Sequence, residues 1–187
     1  MTKRIGDLLA CLTLMLILLP VMLILAVAVR VTSTGPALYW SQRMGKDERL
    51  FSMPKFRTMR TDTPEVATHL LADGNSYLTP IGGFLRRTSL DELPQLFSVL
   101  TGDMSFVGPR PALHNQHDLM AMRRSAGVAE LVPGITGWAQ INGRDEIPLE
   151  QKVALEQEYL ENRGPVMDIG ILVRTAFKVL GARDISH

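Results

Sequence analysis

Residues 89–97 read Ser-Leu-Asp-Glu-Leu-Pro-Gln-Leu-Phe, and residues 108–111 shortly after them read Gly-Pro-Arg-Pro. Pro94 lacks a backbone N–H group and is tolerated in a helix mainly in the first turn, so we predict a helix that begins close to Asp91. Asp91 and Glu92 would then lie at the N-terminus of that helix. Free amide groups and the helix dipole at such an end favour phosphate anions, together with a cation that bridges them to a carboxylate.

A simpler interpretation of the same residues is a capping box. In that motif Ser89 and Glu92 would each satisfy a backbone N–H group of the other, and Asp91 would only favour the helix dipole. This interpretation places Pro94 deeper in the helix, where a backbone hydrogen bond is lost. The two roles do not exclude each other, and the sequence leaves both open.

The composition indicates one domain with a hydrophobic core. It does not indicate binding of nucleic acid. The chain has 187 residues and a formal net charge of +1, which lacks the basic excess of nucleic-acid-binding proteins. The charge is unevenly distributed, because residues 8–29 contain no acidic or basic side chain. About 20 apolar residues suffice to span the hydrocarbon core of a bilayer, so this segment predicts contact with membrane lipid.

Pro20 lies in the middle of the apolar segment and predicts a break in its helix. Lys3, Arg4 and Arg30 flank both ends, so charge asymmetry does not assign the ends to opposite sides. We therefore predict a re-entrant membrane helix over residues 1–32, with both ends on one side, followed by one domain over residues 33–187. A straight bitopic helix with a proline kink is the alternative. A cleaved signal peptide is disfavoured, since its apolar region has roughly 7 to 15 residues.

Two extended segments begin the second part of the chain. Residues 37–42 and 50–53 are predicted to pair as a short hairpin across a turn at residues 45–47. Lys55 and Arg57 follow at alternate positions and would face the same side of a strand. They would contact phosphate there, or serve as solvated charge at a strand edge.

Further arginines and glycines mark possible contacts with a phosphorylated ligand. Arg86 and Arg87 come immediately before the predicted Asp91 helix, where they would neutralise a diphosphate or contact lipid phosphates. Residues 132–144 are rich in Gly and Pro and predict a structured loop. Its glycines permit close approach to a ligand and Arg144 offers a phosphate contact, although a purely structural turn explains the same pattern.

The remaining helical patterns carry less chemistry. His114 and His117 lie in a predicted helix over residues 114–122, and without a third matching ligand we interpret them as surface residues rather than metal ligands. A C-terminal helix is predicted to begin at Asp168 as N-cap, with an apolar stripe that extends to Leu180. The stripe would pack on the core or lie on anionic lipid, and the sequence does not choose.

Several of these motifs, in this order, make the chain resemble the bacterial sugar transferase family, the small monotopic polyprenyl-phosphate phosphoglycosyl transferases. The resemblance covers nearly the whole chain and is closest to short, single-module members such as the enzyme of bacterial N-glycan assembly. It departs from the family at the membrane segment, where Leu19 precedes Pro20 instead of the usual serine. The motifs that carry the resemblance are Lys3-Arg4, the segment containing Pro20, residues 55–59 (Lys-Phe-Arg-Thr-Met), 89–97, 102–111 and 133–144.

The resemblance implies an α/β, mostly helical monotopic membrane protein. A re-entrant helix would hold a small cytosolic domain, with a short β-hairpin and amphipathic interfacial helices, at the cytoplasmic face of the bacterial inner membrane. The implied reaction moves a sugar 1-phosphate from a UDP-sugar to undecaprenyl phosphate and releases UMP, as the first membrane step of glycoconjugate assembly. A membrane-anchored phosphohydrolase and a non-catalytic scaffold are the alternatives.

The resemblance also implies roles for individual residues. Asp91 matches the family nucleophile, which forms a covalent phosphosugar intermediate, and it would also contact Mg²⁺. Glu92 matches an essential neighbour, for which metal contact and proton handling both stay open. A homodimer is a further expectation that the sequence leaves open. The residues expected to bind substrate phosphate are Arg110, Arg86, Lys55 and Arg144.

Overall fold

A computed structural model describes residues 2–63, 74–143 and 147–180. The predicted mostly helical class is confirmed, with two small sheets and one long apolar helix at the N-terminus. The helices are α1 (Thr2–Thr32), α2 (Gly82–Arg87), α3 (Leu96–Thr101), α4 (His117–Ser125), α5 (Trp138–Asn142), α6 (Leu149–Asn162) and α7 (Pro165–Leu180). The strands are β1 (Leu38–Met44), β2 (Leu50–Phe56), β3 (Ser105–Val107), β4 (Ala112–Leu113) and β5 (Gly134–Thr136), and short 3₁₀ turns cover Lys46–Glu48, Gly74–Tyr77, Leu90–Gln95 and Val128–Glu130.

The predicted hairpin is confirmed and is longer than expected. β1 and β2 pair antiparallel along their whole length, from Leu38 opposite Phe56 to Met44 opposite Leu50. β4 pairs with the other edge of β1, which gives a three-stranded sheet in the order β2-β1-β4. The sheet brings the chain that follows β3 back towards the hairpin.

The prediction of a loop over residues 132–144 is wrong, because strand β5 and helix α5 lie in this segment. β5 pairs parallel with β3. The glycines here permit two backbones to approach each other rather than a ligand: a Cβ atom on Gly134 would lie 2.1 Å from the Gly108 nitrogen, and one on Gly137 would lie 2.1 Å from the Gly108 oxygen. The structural interpretation of these glycines is therefore the correct one.

Helix α1 continues through Pro20, so the predicted break is wrong. A proline inside a helix removes one backbone hydrogen bond, and here the helical residues on both sides outweigh that loss. The helix is long and apolar enough to cross a membrane, by length and composition. Most of its large apolar side chains are exposed, with Leu16 and Val31 each 78% exposed.

Contacts with the rest of the chain extend from the first turn of α1 to its last. Near the start, Arg4 donates hydrogen bonds to the carbonyl oxygens of Val99 (2.5 Å) and Leu100 (2.9 Å) at the end of α3. Asp7 accepts a hydrogen bond of 2.8 Å from the Ser105 hydroxyl. At the far end, Val29 is fully buried in a cluster of α1, β2 and α2 side chains. One side of the helix is therefore docked on the domain over its whole length.

Helix α7 begins at Pro165, three residues before the predicted start. Asp168 is not its N-cap; its carboxylate accepts hydrogen bonds from the Tyr159 hydroxyl (2.7 Å) and from Lys3 (2.5 Å). Ile171 is fully buried, whereas most of the predicted stripe is exposed, with Phe177 72% exposed. The stripe thus faces away from the core, so packing on the core does not explain it.

Candidate functional site

A tight backbone turn presents the paired carboxylates Asp91 and Glu92. Ser89 adopts a left-handed conformation (φ 55°), and the 3₁₀ turn Leu90–Gln95 follows it and leads into α3. Asp91 and Glu92 lie in the first turn, as predicted, although that turn is 3₁₀ rather than α-helical. The Ser89 side chain makes no capping hydrogen bond, so the capping-box interpretation is wrong.

Glu92 is bound by two cations from different parts of the chain. Lys55 on β2 donates a hydrogen bond of 2.7 Å to Glu92 Oε1, and Arg110 donates one of 3.3 Å to the same oxygen. The Glu92 side chain is only 18% exposed. Burial acts to raise the pKa of Glu92, but the charges and hydrogen bonds of Lys55 and Arg110 outweigh it and hold the pKa far below its usual value. Glu92 is therefore an ionised group that orients two cations, and it is poorly suited to carry a proton.

Asp91 has a third cation beside it. Asp91 is buried in the 3₁₀ turn and interacts electrostatically with Arg86. Arg86 is oriented by Thr58, since its Nε atom donates a hydrogen bond of 3.0 Å to the Thr58 hydroxyl. Burial lowers the pKa of Arg86, and the negative charge of Asp91 acts against that shift. The guanidinium thus interacts with the carboxylate that the family resemblance implies as nucleophile.

Five of the predicted site residues come together in the structure: Asp91, Glu92, Lys55, Arg86 and Arg110. They come from the 3₁₀ turn, β2, α2 and the segment after β3, which are far apart in the chain. Arg144 lies outside the described residues.

Thr58, which orients Arg86, was not predicted as a site residue. It lies three residues after Lys55, within the motif of residues 55–59 that carries part of the family resemblance. Sequence analysis also misjudged Arg57, which is 5% exposed and donates hydrogen bonds to the carbonyl oxygens of Ser33 (3.0 Å) and Pro36 (2.7 Å). Lys55 thus belongs to the site, whereas Arg57 fixes the chain after α1. Neither residue is the solvated edge charge that the sequence also allowed.

The magnesium ion that the family resemblance implies is compatible with the described side chains only if substrate phosphate supplies most of its ligands. Within residues 2–63, 74–143 and 147–180, no three His, Cys, Asp or Glu side chains converge on a point where they could hold a metal. Magnesium in phosphate-handling sites is commonly bound by one or two carboxylates together with phosphate oxygens and water. The Glu92 carboxylate already binds two cations, which disfavours it for that role. His114 and His117 are both exposed, and α4 begins only at His117.

Trp138, which the Gly-rich segment contributes, packs between helices. Its indole N–H donates a hydrogen bond of 2.9 Å to Glu158 on α6. The Arg174 guanidinium on α7 lies 5.4 Å from the centroid of the ring. These contacts explain the tryptophan as a structural residue that joins α5, α6 and α7.

Comparison with known proteins gives a match over nearly the whole chain. The protein-family model described as bacterial sugar transferase matches residues 1–182. The UDP-glucose:undecaprenyl-phosphate glucose-1-phosphate transferase of Xanthomonas campestris pv. campestris is 42% identical over 172 residues, which cover 88% of this chain and 36% of the relative. The protein of the same name from Escherichia coli (strain K12) is 38% identical, over 94% of this chain and 39% of the relative.

A shorter relative matches along almost its full length. The uncharacterized sugar transferase EpsL of Bacillus subtilis (strain 168) is 40% identical over 185 residues, which cover 99% of this chain and 90% of the relative. By contrast, the chain spans 36% to 39% of the length of the longer relatives from Xanthomonas and Escherichia.

We predict that Glu92→Gln lowers the free energy of unfolding by about 1–3 kcal/mol at pH 7, because Lys55 and Arg110 lose their charged hydrogen-bond acceptor. The folded protein lowers the pKa of Glu92, so its stabilisation is complete above the pKa of about 4.3 of an unfolded glutamate and is lost as the pH falls towards the folded value. The difference between variant and wild type should therefore be constant from pH 7 to 5 and shrink below about pH 4. Denaturant unfolding of the detergent-solubilised proteins measures it.

Glu161→Gln is the matched control, since the Glu161 carboxylate on α6 is exposed and accepts a hydrogen bond only from the Gln157 side chain among the described contacts. Its unfolding free energy should equal that of wild type across the same pH range. An unchanged stability of Glu92→Gln at pH 7 would contradict the ion-pair geometry.

Proposed function

The chain belongs to the bacterial sugar transferase family, and from that premise we propose that it transfers a sugar 1-phosphate from a UDP-sugar to undecaprenyl phosphate and releases UMP. The observation that carries the proposal is the convergence of Lys55, Arg86 and Arg110 around the adjacent carboxylates Asp91 and Glu92. Such a set combines a nucleophile with the positive charge that a diphosphate requires. The names of the longer relatives specify UDP-glucose and undecaprenyl phosphate, which supports a UDP-sugar and undecaprenyl phosphate as the substrates of this chain.

In the first half of the proposed reaction, an Asp91 carboxylate oxygen attacks the phosphorus that carries the sugar. The new bond joins that oxygen to phosphorus, the bond from this phosphorus to the bridging oxygen breaks, and UMP leaves with the electron pair. Arg86 lies beside Asp91 and Arg110 lies beside Glu92, so guanidinium groups are available on both sides to bind diphosphate oxygens.

In the second half, a phosphate oxygen of undecaprenyl phosphate attacks the same phosphorus atom. The bond to Asp91 breaks, which regenerates the carboxylate and gives undecaprenyl diphosphate sugar. Glu92 does not exchange a proton in either half, because its ion pairs keep it ionised. It holds Lys55 and Arg110 in place for the phosphate groups of both substrates.

We expect a magnesium ion, held by Asp91 and the substrate, to participate in this reaction. When bound, it would offset the negative charge of the diphosphate and assist departure of UMP. The Glu92 carboxylate is already paired with Lys55 and Arg110, which disfavours it as the metal ligand. Lys55, Arg86 and Arg110 would then orient the phosphate oxygens around Asp91.

We further propose that both ends of α1 lie on the same side of the membrane, with the domain at the cytoplasmic face of the bacterial inner membrane. A bilayer core is about 30 Å thick, so a helix that crossed it once would separate its ends by that distance. Arg4 and Asp7 at one end, and Val29 at the other, all contact the same domain. That arrangement supports a monotopic helix.

The homodimer stays a prediction.

Exposed apolar side chains support the same orientation in the membrane. On α7, Val166 is 86% exposed and Phe177 is 72% exposed, and Phe84 on α2 is 52% exposed. Apolar side chains of this size are costly in water and favourable in lipid. We infer that these helices lie in the lipid interface, where the proposed polyprenyl acceptor resides.

UMP release tests the proposed activity. Wild-type protein in nanodiscs with Mg²⁺ and undecaprenyl phosphate should release UMP from at least one UDP-hexose, and Asp91→Asn should lower the rate by at least about 10³-fold because an amide is a poor nucleophile. Omission of undecaprenyl phosphate should stop multiple turnover. Continued turnover without acceptor would instead indicate a phosphohydrolase, and no UMP from any donor would favour the scaffold alternative.

Cysteine labelling tests the one-sided membrane topology. Two variants, Thr2→Cys and Thr34→Cys, each add one cysteine at an exposed position. Both should react with a membrane-impermeant maleimide in inverted vesicles, and neither should react in intact spheroplasts. Wild type, whose only cysteine is the buried Cys11, should stay unlabelled in both preparations. Labelling of the two ends from opposite sides would mean that α1 crosses the membrane.

A further inference from the structure

Three consecutive carbonyl groups around Arg110 are each held by a different part of the chain. The Pro109 oxygen accepts a hydrogen bond of 2.9 Å from the Gly134 N–H group on β5. The Arg110 oxygen accepts one of 2.9 Å from Arg123 Nη2 on α4. The Pro111 oxygen accepts one of 3.2 Å from Arg43 Nη1 on β1. The backbone of this segment is thus fixed from behind, while its Arg110 side chain points to Glu92.

Of the two arginine side chains that donate to this segment, Arg123 is the buried one. Its side chain is 6% exposed, and its partner Glu156 on α6 is 2% exposed. Arg123 Nε donates a hydrogen bond of 2.8 Å to Glu156 Oε2, and Arg123 Nη2 donates to both Glu156 Oε1 and the Arg110 oxygen. The planar guanidinium fork is held at two points by Glu156, so the direction of its third hydrogen bond is also fixed.

We propose that Arg123, oriented by Glu156, is a positioning residue that sets the location of the phosphate-binding Arg110. The inference rests on the proposed function, because Arg110 is taken to bind substrate phosphate. It assigns a role to two residues that touch neither Asp91 nor Glu92 among the contacts described. It also makes α4 and α6 a support for the site rather than a separate layer of the fold.

Energetics favour a positioning role over a contribution to stability alone. A buried ion pair gives little net stability compared with an apolar pair of similar volume, because desolvation offsets the attraction between the charges. The pair gains a specific consequence when one of its hydrogens reaches a carbonyl in the phosphate-binding segment. The Arg110 carbonyl oxygen accepts the hydrogen bond from Arg123, and the Arg110 guanidinium contacts Glu92 at 3.3 Å. The hydrogen bond from Arg123 thus fixes the backbone position from which the Arg110 side chain reaches Glu92.

A double-mutant cycle in the full-length chain, held in nanodiscs, tests the proposal. Arg123→Lys keeps a positive charge beside Glu156 but has no planar fork that reaches both Glu156 and the Arg110 oxygen. We expect it to lower kcat/KM for UMP release about tenfold in the wild-type background, which corresponds to about 1.4 kcal/mol. In an Arg110→Ala background, the same substitution should lower kcat/KM no further, because the group that it positions is gone.

Arg124→Lys is the matched control on the same helix. Arg124 is exposed and forms a fork with the Glu48 carboxylate through two hydrogen bonds of 2.6 Å, away from Arg110. It should leave kcat/KM unchanged. If Arg123→Lys does not fold, Glu156→Gln serves in its place, because it weakens the orientation of Arg123 and keeps all other groups; the same loss and the same absence of effect without Arg110 are expected.

The outcomes separate the inference from the proposed function. A wild type that releases UMP, with Arg123→Lys and Arg110→Ala effects that multiply, would overturn the positioning role and leave the proposed function intact. An Arg110→Ala variant with unchanged turnover would also overturn it, since Arg123 could not then act through Arg110. A wild type that releases no UMP from any donor would overturn both.

Discussion

The ionised Glu92 carboxylate, shared by Lys55 and Arg110, is the interaction on which the site depends. It joins β2, the 3₁₀ turn and the segment after β3, which lie far apart in the chain. Without a negative charge at this point, two cations would face each other in a largely buried space. With it, the same two cations are oriented on one carboxylate, where we propose that they bind phosphate groups. The hairpin, the turn and the parallel β3-β5 pair bring the side chains of Lys55, Glu92 and Arg110 together.

The sequence indicates which residues form the site better than it indicates which residues support them. Asp91, Glu92 and the basic residues near them could be identified because helix-terminal carboxylates, a proline and adjacent arginines form local patterns with a known physical meaning. Arg123 and Glu156 could not be identified, since nothing local distinguishes a buried arginine from the exposed Arg124 beside it. Their pairing arises only when α4 and α6 pack, which depends on contacts between distant parts of the chain.

The errors in predicted structure have similar causes. Pro20 indicated a helix break, but one lost hydrogen bond did not interrupt a helix of 31 residues that is docked on the domain along one side. The glycines near residue 134 indicated a loop, but they serve the close approach of β5 to the Gly108 backbone. In both cases tertiary contacts outweighed a local signal, which is the usual limit of local patterns.

Intact mass of the nanodisc-held protein, incubated with Mg²⁺ and a panel of UDP-sugars in the absence of acceptor, tests whether Asp91 forms the proposed covalent intermediate. We expect a mass gain of one sugar phosphate, mapped to the peptide that contains Asp91 and absent from Asp91→Asn. Later addition of undecaprenyl phosphate should remove the added mass. Full UMP release by Asp91→Asn, or an adduct on another residue, would contradict the assignment of Asp91 as the nucleophile.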